Sequence, residues 1–481
     1  MIKCGQEECS NRTYDEKYCI LHCEKPDYNS KEIETAFIAS LIELISEKSS
    51  RVRTYLTQSP SKTVPSLIST TFFLKNIAFP QVNPVDGCYS DILGKLKYIK
   101  FVGCSFKGLS LTFIETECAF YSCTFHSIWE LSNIPILKSQ QGVLFHKCIF
   151  KENVHTDWGP NRKLDIPFFK DCNFQKGLEL ISVILDKPLF TNSEGINDLS
   201  LSTLKISQCE INSSFILNGH KIGKLLINDS IFTAKFELKE NNIDEFSIDN
   251  TNYKKLVDAY KTKFGSFSIE KSIFDDFVGF EKCVCSPNEQ ASLFRYATFL
   301  SFVNFRGAKF LSGLDIKNIN LKESPNFLEV EVSNNNTPRE TFRIIKHSFE
   351  KIGNNIEANK YFAIEMKKYS SELTFKNHLS EKTILTLNGL ISNYGQSYVK
   401  PIAWIIITAT LYSWIVNSNV SLWLTEQFPS LNYCLNSGAK NILPFGKFLK
   451  ENLEFISLLF YILFTSLIWQ TIVAIKRHTK K

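Results

Sequence analysis

The chain is 481 residues long, 44% hydrophobic and 22% charged, which excludes a disordered tail or a small stapled module and allows a large core. Its 55 Lys and Arg against 49 Asp and Glu leave a formal charge of only +6, too even for a nucleic-acid binder or an acidic DNA mimic read from charge alone. Fourteen Cys occur behind a polar opening, Met1-Ile2-Lys3-Cys4-Gly5-Gln6, with no signal peptide, so reduced thiols are expected rather than a secreted disulfide framework.

Residues 1–25 carry the sharpest chemical motif, Cys4-x4-Cys9-x9-Cys19-x2-His22. Soft ligands at this spacing suit a tetrahedral zinc ion, and Gly5 lets the first knuckle turn. Cys23, beside His22, is an alternative fourth ligand. So polar a segment has no core of its own, so the metal would supply its folding energy. Filling all four positions with protein leaves none open for catalysis, and the site is expected to be structural.

Residues 30–50 read as an amphipathic helix. Ser30 is placed as its N-cap, and Ile33, Phe37, Leu41, Leu44 and Ile45 recur at helical spacing. Residues 51–95 show no clear period. From 96 to 332 a small residue and Phe recur two apart, as in Cys104-x-Phe106, Cys118-x-Phe120, Cys123-x-Phe125, Cys148-x-Phe150 and Cys172-x-Phe174. Ser230-x-Phe232, Ser272-x-Phe274, Ala297-x-Phe299 and Ala308-x-Phe310 continue the pattern. Pairs such as Phe101/Phe106 and Phe305/Phe310 are five apart, a period that fits neither a helix nor a flat strand. It fits a square solenoid, in which each five-residue unit makes one side of a coil and stacked coils bury a ladder of rings. On this reading Cys104, Cys118, Cys123, Cys148, Cys172 and Cys209 fill the small inward site as compact hydrophobes. The register is expected to slip between about 126 and 205, with an excursion from Asn153 to Asp165.

This region resembles the pentapeptide-repeat family, with Phe in place of the usual central Leu and Cys or Ser in place of the usual Ala. The resemblance implies a mainly β fold, a right-handed quadrilateral β-helix.

Residues 337–395 turn helical. Thr337-Pro338-Arg339-Glu340 supplies start signals, and Phe342, Ile345, Phe349 and Ile352 mark an apolar stripe. Gly353-Asn354-Asn355 interrupts it before a second helix from about Ile356 to Tyr369. Glu357 and Glu365 read as solvated or ion-paired helix positions. Two apolar segments follow, 402–424 and 453–475, each long enough at ~1.5 Å per residue to cross a hydrocarbon core of ~30 Å. The tail 476–481, Lys476-Arg477-His478-Thr479-Lys480-Lys481, favours a cytoplasmic C-terminus. Two spans then return the N-terminus to the cytoplasm and leave 425–452 as an extracytoplasmic loop.

Tyr18-Cys19-Ile20-Leu21-His22 resembles the zinc knuckles that open some bacterial pentapeptide-repeat membrane proteins. Arg343, Lys346, Lys351-Ile352-Gly353-Asn354, Glu357-Ala358, Tyr361 and Glu365-Met366, then Tyr394-Gly395-Gln396-Ser397 and Lys400-Pro401-x-x-Trp404, resemble the helical signature of membrane-anchored members. This places the chain in an inner membrane. No phosphate loop, H-E-x-x-H or G-x-S-x-G motif occurs. The expectation is a noncatalytic protein, held by the lipid bilayer, that presents its solenoid to a cytoplasmic protein partner. The alternative is an effector or channel in which a homo-oligomer of the hairpin lines a pore with Asn417, Asn419, Ser466 and Gln470. These residues read first as helix–helix contacts or interface positions and only second as a pore lining.

Overall fold

The computed structural model describes residues 3–7, 9–25, 31–47, 52, 56–57, 68–81, 89–108, 117–130, 142–164, 166–191, 200–418, 420–441 and 448–479. They form two compact units, Met1–Asn336 and Thr337–Lys481.

The first unit grows from a corner that repeats along the chain. In Phe101-Val102-Gly103-Cys104-Ser105-Phe106, Phe101 lies near the end of the strand Leu96–Val102, and Gly103 turns the backbone at φ 66°. Cys104 then points inward and Phe106 fills the next side, all three inward side chains being buried. The same corner recurs at Phe120–Phe125, Phe145–Phe150 and Phe169–Phe174, with positive φ at Ser122, Lys147 and Asp171. Each thiol also has a task. Cys104 Sγ donates to the Leu74 carbonyl at 3.2 Å, and Cys148 and Cys172 donate to Phe120 and Phe145 at 3.4 Å. These cysteines therefore satisfy corner carbonyls of neighbouring coils as well as filling space.

Parallel pairing from rung to rung lays ring over ring. Phe101 stacks on Phe120 with centroids 4.9 Å apart, Phe106 on Phe125 at 5.1 Å and Phe125 on Phe150 at 4.8 Å. Stacked aromatic pairs of this kind add about 0.5–1.5 kcal/mol each beyond area burial. From about residue 200 to 274 the spacing becomes even: Lys221, Asn242 and Lys263 are in register, 21 residues apart, close to four five-residue sides. The whole is a mainly β, parallel solenoid of about 9 turns.

Two findings differ from the sequence reading. Pairing begins upstream of 96, because the strand Ile68–Lys75 runs parallel to Leu96–Val102 and forms the first coil. Its corner is hard to read because Ile77, a large residue, occupies the small inward site before Phe79. The excursion at 153–165 is instead the strand Val154–Leu164, paired with Gly177–Leu185 across a bulge between Asp157 and Arg162. Helix α1 (Lys31–Ser46) and the short α2 (Tyr89–Leu93) pack on this end, where Phe37 meets both Phe79 and Tyr89 at 5.9 Å. Ser30 lies outside the described residues.

The second unit is helical. Helix α3 (Arg339–Lys351) buries Phe342, Ile345 and Phe349, whereas Ile352 sits beyond its last turn and is 66% exposed. Gly353, at φ 75°, makes the reversal. The Asn354 side chain then caps α4 (Asn355–Glu372) by accepting from the Glu357 amide at 3.2 Å. Glu365 is buried between Arg343 at 3.1 Å and Lys346 at 2.9 Å, which ties α4 to α3. Then come α5 (Leu379–Ser392), α6 (Val399–Asn417), α7 (Val420–Gln427), α8 (Pro429–Lys440) and α9 (Glu454–Thr479). The first apolar segment is thus not one helix to 424. Ser418 is extended, at ψ 166°, and ends α6.

Helices α6 and α9 form an antiparallel hairpin: Tyr398 packs on His478, and the Tyr412 hydroxyl donates to Ser457 at 3.0 Å. Both are long and apolar enough to cross a membrane, with mean hydropathy of 1.5 and 2.0 over their most apolar windows. Only 11% and 17% of those windows is buried, so their apolar surfaces face outward, unlike a soluble core helix.

Candidate metal centre

The N-terminal motif folds by local turns. The Cys4 amide donates to the Asn11 carbonyl at 3.0 Å and the Gly5 amide to Lys17 at 2.8 Å, which brings the first knuckle against the second. In Cys19-Ile20-Leu21-His22-Cys23 the amides of His22 and Cys23 both bond back to the Cys19 carbonyl, a tight helical turn that sets Cys19 and His22 on one side. The ligand atoms of Cys4, Cys9, Cys19 and His22 consequently lie within 4.8 Å of one another.

The shorter separations are close to the edges of a metal-centred tetrahedron. Zinc bonds of about 2.3 Å to sulfur and 2.05 Å to nitrogen imply edges of about 3.8 Å between sulfurs and about 3.6 Å from sulfur to nitrogen. Observed are 3.7 Å between Cys9 and Cys19, and 3.5 Å and 3.2 Å from His22 Nδ1 to Cys4 and Cys19. The Cys19 amide points at Cys4 Sγ at 3.2 Å, a donor that favours thiolate. Burial opposes the charged form of Cys4, yet backbone donors from Gln6 and Cys19 outweigh it and lower its thiol. Burial, joined by the neighbouring Cys19 and Cys4, pushes Cys9 up to about 12. Burial also lowers His22, keeping its ring neutral and able to ligate. Its ring further hydrogen-bonds the backbone of Lys75, the kind of outer contact that orients ligating histidines.

Cys23 does not join the cluster. It is buried, with its sulfur 3.8 Å from the Ile20 carbonyl, so His22 is the fourth member. Residues around the cluster dock on the first coil. The Leu21 carbonyl accepts from the Ala78 amide at 2.8 Å, Lys25 Nζ bridges the carbonyls of Cys23 and Ala78 at 3.0 Å, and Lys107 Nζ reaches the Lys25 carbonyl at 2.8 Å. Ala78–Phe79 is the edge strand of its five-stranded sheet, so the knuckle covers an edge that would otherwise be open. This docking was missed from sequence; Lys25, buried with its charge on carbonyls, carries no distinguishing spacing.

The polar residues of the hairpin do not converge within one chain. Asn417 is exposed at the end of α6, its amide 3.5 Å from Ser413, and Asn419 lies outside the described residues. Ser466 is exposed on α9. Gln470 accepts a hydrogen bond from Ser392 of α5 at 3.2 Å, a helix contact. Since the hairpin is antiparallel, Asn417 and Gln470 lie toward opposite ends of it. No family model, curated protein or solved structure matches this chain.

Proposed function

We propose that this protein is a noncatalytic scaffold, anchored in a membrane by α6 and α9, that presents its solenoid to a cytoplasmic protein partner. The observation that carries this is the outward apolar surface of the hairpin. Ile406, Trp414, Ile462 and Trp469 are each 52–66% exposed there, surface that only lipid or another apolar body can cover. The solenoid's outer surface is charged instead, with rung-to-rung pairs such as Lys224–Glu245 at 2.6 Å and Lys254–Asp275 at 2.9 Å, a long rigid face suited to protein recognition. Zinc is the ion we assign to Cys4, Cys9, Cys19 and His22, in a closed structural role. The five-residue corners support membership of the pentapeptide-repeat family. Lys476 and Arg477 in the last turn of α9 support a cytoplasmic C-terminus in a bacterial inner membrane.

The test is ion flux from liposomes holding the full chain, beside a version truncated before Lys400. The expected result is tight vesicles with the hairpin resistant to carbonate extraction, and discrete crosslinks from solenoid lysines to one protein in native membranes. Flux that requires the hairpin would replace this reading by the pore.

A further inference from the structure

We infer that α5 lies in the membrane interface, its exposed apolar face sunk among the upper acyl chains of the leaflet from which α6 and α9 emerge. This rests on the anchor reading of those two helices.

Helix α5 has two unlike sides. One is engaged by protein: Glu381 accepts from the Tyr369 hydroxyl at 3.1 Å, Lys382 Nζ donates to the Ser370 carbonyl, and Gly389 faces the Tyr394 ring. The other carries Leu379, Ile384, Leu387 and Leu390, which are 66%, 65%, 49% and 55% exposed. At 100° per residue these occupy one arc of about 140°. One polar residue, the exposed Ser380, stands within that arc, while the two threonines on or beside it are spent on the helix itself. Thr383 Oγ donates to the Leu379 carbonyl at 2.7 Å and Thr386 Oγ to Lys382 at 2.6 Å, so their methyls complete an apolar surface. Phe375, 54% exposed, extends it at the N-terminal side.

The depth of this helix is fixed by its last turn. Ser392 bonds to Gln470, five residues before Ile475, where the apolar run of α9 gives way to Lys476 and Arg477. Five residues of helix are about 8 Å. Arg477 in turn donates to the Tyr394 carbonyl, and its guanidinium stacks on Phe362 at 4.7 Å. The C-terminal end of α5 therefore sits about 8 Å inside the level at which α9 becomes basic. That is the depth of about 5–10 Å to which interfacial amphipathic helices bury their apolar face. The exposed apolar surface of α6 starts at Val399, a short turn after α5 ends. A bilayer covers both at once.

The experiment uses the full chain with Cys434→Ser, because the other described cysteines are buried or belong to the metal cluster. An environment-sensitive fluorophore is placed in turn at Leu387→Cys, Leu390→Cys and Glu381→Cys, and at Leu411→Cys on α6 as a control for insertion. The protein is reconstituted in phosphatidylcholine vesicles containing 20–30% phosphatidylglycerol (about the anionic fraction that lets basic flanks engage), with nitroxides at shallow or deep acyl positions. The expected result is blue-shifted emission at 387 and 390, quenched most by the shallow nitroxide, with 381 wet and 411 quenched by the deeper one. Labels at 387 and 390 that stay wet while 411 is quenched overturn the α5 proposal and leave the anchor standing. Labels at 387 and 390 that are dry but unquenched by lipid overturn it too and assign the face to protein; crosslinking between copies at 387 would identify a second copy. A wet 411 sinks the anchor reading itself.

Discussion

The coils before residue 175 and those after residue 210 fill the same square cross-section in different ways. In the early coils the ladder Phe79, Phe106, Phe125, Phe150 and Phe174 advances by 27, 19, 25 and 24 residues, yet the rings stay stacked. In the later coils Ile211, Phe232, Tyr253 and Phe274 advance by 21 each time, before a step of 25 to Phe299. The corner is a local unit, with its left-handed residue, small inward side chain and flanking rings all within six positions. The chain can therefore leave between corners and return without losing the stack. Where the early small site is linked from rung to rung by thiol-to-carbonyl bonds, the evenly spaced coils link it by side-chain-to-amide bonds. Asn241 Oδ1 accepts from the His220 amide at 2.8 Å, and Thr262 Oγ1 from the Asn241 amide at 3.3 Å, one rung after another. Salt bridges repeat in the same way on the surface, though exposed pairs of this sort contribute only about 0–1 kcal/mol each.

The largest expected effect separates the first coil from all the rest. Removing the metal by chelation, or by Cys19→Ser, forfeits binding energy that in small zinc modules is on the order of 10 kcal/mol. Hydrogen exchange should then lose protection across the knuckle and at the Ala78 amide, whose acceptor is Leu21. The rungs from Lys221 to Glu270 should stay as protected as before. A purified chain with about one zinc, and an Ala78 amide indifferent to its loss, would break the link between metal and solenoid edge.

Within the early coils, Phe120→Ala removes a fully buried ring stacked on Phe101 at 4.9 Å and Phe145 at 5.0 Å. The expected loss is about 3–5 kcal/mol, the usual cost of an aromatic-to-alanine cavity. Because each coil touches only its neighbours, exchange should accelerate over the rungs around Phe120 and leave the later coils unmoved. Uniform loss along the whole solenoid would mean that the two regions unfold as one body.

A gain is expected in the later coils. Tyr253 stands where the early ladders have only Phe, stacked on Phe232 and Phe274 at 4.9 and 5.0 Å. Its hydroxyl is buried without a hydrogen-bond partner among the described residues, and burial holds the phenol well above its ordinary range. Tyr253→Phe should stabilise by about 1–3 kcal/mol, the penalty of an unsatisfied buried polar group. A loss in chemical denaturation would show that water or a shifted neighbour already satisfies it.

These contrasts also explain what could be read from sequence. The small-x-Phe pattern and its five-residue period pointed to the solenoid, because inward residues are the ones that stacking constrains. The four-residue Cys/His cluster was legible because a Cys and His set at knuckle spacing has few other uses. The first coil was not, since Ile77 breaks the small-residue pattern at the edge where the knuckle supplies the missing neighbour. The break of the first apolar segment at Ser418 is half-legible in the polar run Asn417-Ser418-Asn419, whose composition does not reveal the extended backbone that ends the helix. Lys25 and Gln470 take their meaning from partners 53 and 78 residues away, which no local spacing reveals.

The smallest effect tests the corner itself. Gly103 and Tyr296 occupy equivalent corners, at φ 66° and 53°, one before Cys104 and the other before Ala297. A left-handed backbone costs a residue with a β-carbon about 1–2 kcal/mol, and glycine forgoes that cost but loses about 0.5–1 kcal/mol in unfolded-state entropy. Tyr296→Gly should therefore gain up to about 1 kcal/mol, since its ring is 58% exposed and contributes little packing. Gly103→Ala should lose stability instead, because its β-carbon would carry the strained φ; the Asn76 side chain it would also crowd is exposed and can swing aside. Thermal unfolding of the two variants sharpens the comparison between regions. If Tyr296→Gly destabilises the chain, the later corners are held by side-chain contacts rather than by backbone geometry, and the corner is not the shared unit that both regions build upon.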